Sequence, residues 1–252
     1  MARKARYCPG GYVYHVLNRS VGRIALFRCE EDYAAFERVM VEAYARVPLR
    51  IMSWCLMKNH WHFVVWPHSD DQVTDFFRAL AHTHAMRWRV ARRSVGWGPL
   101  YQGRFKAFPV QSGEPLRTVC RYVERNALSA GVVKRAEHWR WGSLWLRHQT
   151  GMGDQTPAMM QMLSPGPPGR WPALGPWTAA VNAVQTRKEL SRLEISERRS
   201  RPFGGEAWLL QTVVNLNLEH TIRSEGRPKK AQKGDLKMKM RPRFGSPNGG
   251  AW

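Results

Sequence analysis

The run Leu49-Arg-Ile-Met-Ser-Trp-Cys-Leu-Met-Lys-Asn-His-Trp-His-Phe-Val-Val-Trp66 decides the fold. Two apolar, aromatic and β-branched stretches flank the polar pair Lys58-Asn59. Leu49–Met57 and His60–Trp66 therefore read as strands joined by a tight turn. Upstream, Tyr12–Leu17 is β-branched and aromatic, bounded by Gly11 and Asn18, and reads as an earlier strand. Between them, Glu30–Arg46 has apolar residues at helical spacing and acids at its start. Downstream, Asp70–Arg93 predicts a long amphipathic helix with acids in its first turn and arginines in its last. Phe105–Val110 reads as a fourth strand. Glu114-Pro115 opens a helix to about Ala130, with Gly131 as its stop. The order β-α-β-β-α-β-α contains the split pattern of a ferredoxin-like antiparallel sheet flanked by helices, an α+β fold.

The remainder is more helical. Residues 149–176 hold a Pro/Gly/Met-rich stretch and are expected as a linker. Trp177–Arg199 and Gly205–Leu218 are expected as helices of an accessory region, 177–222, that suits DNA binding. Residues 223–252 form a basic tail with no apolar periodicity, expected to lack order without a partner. The catalytic domain would then be residues 1–148.

Charge narrows the function. The 252 residues carry 40 Lys+Arg against 19 Asp+Glu, a formal +21, on a chain that is 43% hydrophobic. Such a surface attracts a polyanion, nucleic acid first and an anionic membrane second. Residues 1–148 hold 24 Lys+Arg and 11 Asp+Glu, so the excess surrounds the predicted sheet as well as the tail. No apolar run is long enough to span a bilayer, and the basic start has no apolar signal stretch. Cys8, Cys29, Cys55 and Cys120 form no C-x-x-C pair, which fits a reducing cytoplasm. The 12 tryptophans can fill a core or stack on bases.

Two patterns carry chemistry. His60 and His62 stand at i and i+2 on a strand, on one face, with Cα atoms roughly 6.6 Å apart. Two imidazoles so placed can hold one divalent cation. The pattern alone also fits two half-buried strand histidines. His82 and His84 have the same spacing within a helix, where they face opposite ways and cannot share an ion. In Arg121-Tyr-Val-Glu-Arg-Asn126, Tyr122 and Asn126 are one helical turn apart. Asn supplies a hard carbonyl oxygen for Mg²⁺ or Mn²⁺, and a deprotonated Tyr is a nucleophile. Taken alone, the pair also fits a packed Tyr and a solvated Asn. Arg104 and Lys106 share one face of the fourth strand and suit phosphate contacts, as does a solvated charged face. Arg121 and Arg125 flank the tyrosine as further DNA contacts. Tyr101 is the competing tyrosine, expected to pack or stack. In the tail, Arg227, Lys229 and Lys230 read first as a nonspecific polycationic segment and second as a Gly-Arg-Pro core suited to a narrow minor groove.

The runs Tyr14–Arg19, Trp54–Val65, Tyr101–Lys106, Arg121–Val132 and Trp139–Ser143 resemble, in order, the marks of the HUH endonucleases, in particular the REP-associated tyrosine transposases. The resemblance spans about residues 7–148. It implies an HUH endonuclease fold that cuts and rejoins single-stranded DNA beside palindromic hairpins with Mg²⁺ or Mn²⁺. It makes Tyr122 the nucleophile of a 5′-phosphotyrosine intermediate, with His60, His62 and Asn126 as metal ligands. Relatives often read Asn-Pro where this chain has Asn126-Ala127, a change that leaves the ligand in place. The expected partner is single-stranded or hairpin DNA, with no membrane, the protein acting as a monomer or homodimer in the cytoplasm at the nucleoid. The rival reading is a domesticated, non-cleaving binder of hairpin repeats.

Overall fold

A computed structural model of the chain describes residues 7–149, 158–164 and 172–223. The expected hairpin forms β2, Arg50–Met57, and β3, His60–Trp66, joined at Lys58-Asn59. β1 is Val13–Arg19 and β4 is Lys106–Val110. The four strands form one antiparallel sheet in the order β2-β3-β1-β4. That is the ferredoxin-like order the element sequence predicts. α1, Glu30–Arg46, and α2, Gln72–Ala91, are the two crossover helices. α3, Glu114–Ser129, ends before Gly131, whose φ of +69° is a left-handed conformation that favours glycine.

Period-2 alternation divides the core. Trp61, Phe63 and Val65 of β3 join Tyr14 and Val16 of β1 under α1 and α2. Val64, Val13 and Phe108 point the other way, towards α3. On β2 a bulge between Ile51 and Ser53 resets the alternation, so Ile51 and Trp54 lie in one core and Met52 and Cys55 in the other.

The later helices depart from expectation. α4, Ser143–His148, and α5, Ala158–Met162, come first. Met159 and Met162 are buried in the core under α1, so this part of the expected linker is packed structure. The helix expected over Trp177–Arg199 is two: α6, Leu174–Asn182, and α7, Arg187–Arg199. Thr186 and Glu189 form a reciprocal capping box that starts α7. That Thr-x-x-Glu signal was present in the sequence and decides the break. α8 is Glu206–Asn215. No helix among the described residues is long and apolar enough to cross a membrane. Residues 224–252, with Arg227, Lys229 and Lys230, lie outside the described residues.

Candidate active site

The sheet register assembles the site. β1 pairs Leu17 with His62 and Arg19 with His60. His15, Leu17 and Arg19 therefore share with His60 and His62 the sheet face covered by α3. The His60 and His62 rings lie 5.0 Å apart, edge to face. His15 stacks on the other side of His62 at 5.1 Å, with its Nε2 3.0 Å from His62 Nδ1.

Each imidazole is held neutral at pH 7. Burial, then the Arg19 charge, lowers His60 to about 4. Burial lowers His15 to about 3, and burial with the neighbouring imidazoles holds His62 well below its ordinary range. The turn residue Asn59 orients His60. Asn59 Nδ2 donates to the Arg23 carbonyl at 3.3 Å, which turns Oδ1 towards His60 Nδ1 at 2.7 Å. His60 then donates from Nδ1 and keeps the lone pair on Nε2 for a ligand.

α3 brings the second pattern to the same place. The Tyr122 ring stands edge-on to His62 at 5.7 Å and to His15 at 6.2 Å. One turn on, Asn126 hydrogen-bonds His60. Tyr122 and Asn126 thus come to His62 and His60 beneath α3.

α7 adds a residue the sequence reading did not name. The Glu197 carboxylate accepts a hydrogen bond from the Tyr122 hydroxyl. Its Oε1 lies 3.7 Å from His62 Nδ1 and is buried with no hydrogen-bond partner. Burial pushes Glu197 up to about 7, against the opposing pull of the Tyr122 hydrogen bond, Arg19 and Lys106. Burial, then Glu197, raises the Tyr122 phenol. Donor atoms of His15, His62 and Glu197 all lie within 4.8 Å of one another. Neutral imidazoles, an amide oxygen and a carboxylate oxygen that lacks a partner make a mixed nitrogen-oxygen set that fits a divalent cation. His15 lies within the Tyr14–Arg19 run, and its parity with Leu17 on a strand beside β3 was the available signal.

A cationic cavity of about 560 Å³ adjoins Glu197. Arg19, Arg104, Lys106 and Arg198 line it, with Glu194 opposite in charge. Arg104 and Lys106 are exposed on either side of buried Phe105, but Lys106 opens β4 while Arg104 lies in the bend before it, outside the expected strand. Arg121 and Arg125 do something else. They donate to the carbonyls of Ala180, Val181 and Asn182 at the C-terminal end of α6. Their guanidinium groups anchor the C-terminal end of that helix. Tyr101 lies in the opposite core, 6% exposed, where its hydroxyl accepts from Trp61 Nε1 at 3.1 Å and meets His84 Nδ1 at 2.7 Å. It packs and does not stack on solvent-borne bases. His82 is exposed and His84 buried, as their opposed helix faces require.

The buried histidines give the fold a pH dependence. Folded values of about 3 for His15 and His84 and about 4 for His60 lie below the ordinary 6.5. The unfolded chain binds more protons in that window, so their contribution is complete above about 6.5 and lost as pH falls towards 4 to 3. Glu197, raised to about 7 from 4.5, runs the other way between those values and offsets only part. Chelator-treated protein is expected to lose a few kcal/mol between about pH 6.5 and 4. Urea midpoints across that range test this, and a flat or rising stability on acidification would contradict it.

The family match falls on this same part of the chain. Residues 10–126 match the family model described as "Transposase IS200 like". That span runs from before β1 to Asn126 and includes His15, His60, His62 and Tyr122, but not Glu197. Among solved structures, one described as a REP-associated tyrosine transposase bound to a REP hairpin is 20% identical, covering 61% of this chain and 89% of its own, with a TM-score of 0.48. Another, described as a transposase from Deinococcus radiodurans R1, is 19% identical over 49% of this chain and 96% of its own, with a TM-score of 0.32. No curated protein matches the chain. Residues 10–126, which hold the paired strand histidines and the α3 tyrosine, are similar to the IS200-like transposases.

Proposed function

We propose that the protein is a metal-dependent single-stranded DNA endonuclease and strand transferase of the REP-associated type, acting in the cytoplasm beside palindromic hairpins. The observation that carries this is the placement of Tyr122, edge-on to His62 at 5.7 Å, with Asn126 one turn on against His60. His60, His62 and Asn126 would hold the cation, with His15 and Glu197 beside them. When bound, Mg²⁺ or Mn²⁺ would polarise a scissile phosphate and offset charge on its oxygens.

The protein's own groups do the rest. Glu197, already hydrogen-bonded to the phenol, takes the Tyr122 proton. The Tyr122 oxygen forms a bond to phosphorus as the bond to the 3′ oxygen breaks. The 3′ oxygen takes a proton from solvent and leaves as a hydroxyl, and the 5′ phosphate stays on Tyr122. The phosphotyrosine conserves the energy of the phosphodiester, so attack by a 3′-hydroxyl rejoins DNA without ATP. Arg19, Arg104 and Lys106 line the adjoining cavity and suit the phosphates that flank the cut.

The test is incubation of hairpin-bearing single strands with Mg²⁺, Mn²⁺ or EDTA. Site-specific nicks are expected with either metal and none with EDTA. Salt-sensitive binding without nicking across several hairpins would overturn cleavage and leave the non-cleaving binder.

A further inference from the structure

We propose that Trp97 is a stacking platform for an unpaired base of the DNA strand that enters the active site, an inference that rests on the DNA-processing function proposed above. Trp97 is 79% exposed, more than any other aromatic side chain among the described residues. A solvent-borne indole of this kind serves no core.

Its loop is held in place. Arg89 of α2 donates to the carbonyls of Gly98 and Pro99 at 3.1 and 3.0 Å and reaches Ser94 Oγ at 3.4 Å. The Trp97 amide closes a turn on the Ser94 carbonyl at 3.3 Å. Gly96 and Gly98 on either side have φ of +89° and +82°, so the indole is presented between two positions that favour glycine. A side chain carried by such a turn loses little freedom when a ligand stacks on it.

The loop also leads to the site. Val21 donates to the Leu100 carbonyl, and Gln102 donates to the Arg19 carbonyl, both at 2.9 Å. Arg19 is the β1 residue paired with His60. Leu100 follows Trp97 by three positions, a reach of about 10 Å at most. A few residues further on, the same segment supplies Gln102, Gly103 and Arg104 to the cationic cavity. One segment thus joins an exposed indole to a lining of positive charge beside Tyr122. Cationic grooves that track phosphates, combined with aromatic side chains that stack bases, are how proteins hold single strands. Exposed Arg93 and the +21 chain favour a polyanion over an apolar protein partner.

The experiment measures binding by fluorescence anisotropy in EDTA, which prevents cleavage. The probes are one hairpin with single-stranded tails and the same hairpin blunt-ended, titrated with wild type, Trp97→Ala and Trp97→Phe. Trp97→Ala is expected to weaken binding of the tailed hairpin about 5- to 100-fold. Trp97→Phe should keep most of that affinity, and all three proteins should bind the blunt hairpin alike. Unchanged binding of the tailed hairpin by Trp97→Ala overturns the proposal while the wild type's binding keeps the DNA-processing reading. An equal loss on both probes also overturns it, as does a Trp97→Ala change from dimer to monomer in sedimentation without loss of DNA affinity. A wild type that binds neither probe overturns the DNA-processing reading and Trp97 with it.

Discussion

Tyr122→Phe is expected to abolish the covalent protein–DNA adduct and the nick, with residual rates at least about a thousandfold below wild type. The substitution removes one oxygen and leaves the ring that packs edge-on to His62 and His15. Fold and DNA binding should therefore persist while the bond to phosphorus has no atom to form from. Tyr101→Phe is the matched control. Its hydroxyl serves Trp61 and His84 in the opposite core, so its loss strands the Trp61 indole N–H. That costs stability by roughly 1–3 kcal/mol but leaves the adduct intact. A denaturing gel of end-labelled hairpin DNA after quenching separates the two. An adduct that survives Tyr122→Phe, or disappears in Tyr101→Phe while the protein remains folded, would remove Tyr122 from its role.

The contrast between the two tyrosines shows what could be read from sequence. β3 alternates strictly, so His60 and His62 had to share a face, and helical spacing put Asn126 over Tyr122. These are short-range periodicities, which a sequence displays directly. His15 required knowing that β1 lies beside β3, a consequence of the sheet order rather than of any local pattern. Glu197 required more, because it reaches the site from 75 positions beyond Tyr122 on a helix expected as part of a longer one. Missing the Thr186–Glu189 capping box hid the break that frees α7 from the line of α6. Arg121 and Arg125, expected as DNA contacts, are engaged at the end of α6 for a related reason. A cation beside a candidate nucleophile looks the same in sequence whether it faces a phosphate or the carbonyl end of a helix docked from 56 to 59 residues away. Lys106, the first residue of β4, lines the cavity, and Arg104 reaches it from the bend before the strand, where strand parity does not apply.

Glu124→Ala should destabilise the protein by about 3–5 kcal/mol, the largest stability effect expected of a single side chain here. Glu124 is 3% exposed in the middle of α3. Its Oε1 accepts from Ser143 Oγ at 2.6 Å and from Arg147 Nε at 3.4 Å, and its Oε2 accepts from Trp177 Nε1 at 2.6 Å. Those donors come from α4 and α6, so one carboxylate ties three helices together. Arg147 also donates to the Met52 carbonyl of β2, which extends the tie to the sheet. Removing the acceptor leaves a guanidinium, an indole N–H and a hydroxyl without their carboxylate, in a place water does not reach. The exposed Arg78–Asp75 pair is a fair contrast: with side chains 73% and 44% exposed, its loss should cost under about 1 kcal/mol. Glu124 lies two residues from Tyr122, hence on nearly the opposite side of α3. The network therefore fixes the rotation of the helix that aims the phenol at His62. Urea unfolding with an unchanged slope and a midpoint shift worth less than about 1 kcal/mol would refute this assignment. A large shift accompanied by weak cleavage at a temperature where the variant is still folded would show that α3's orientation, and not stability alone, depends on the buried carboxylate.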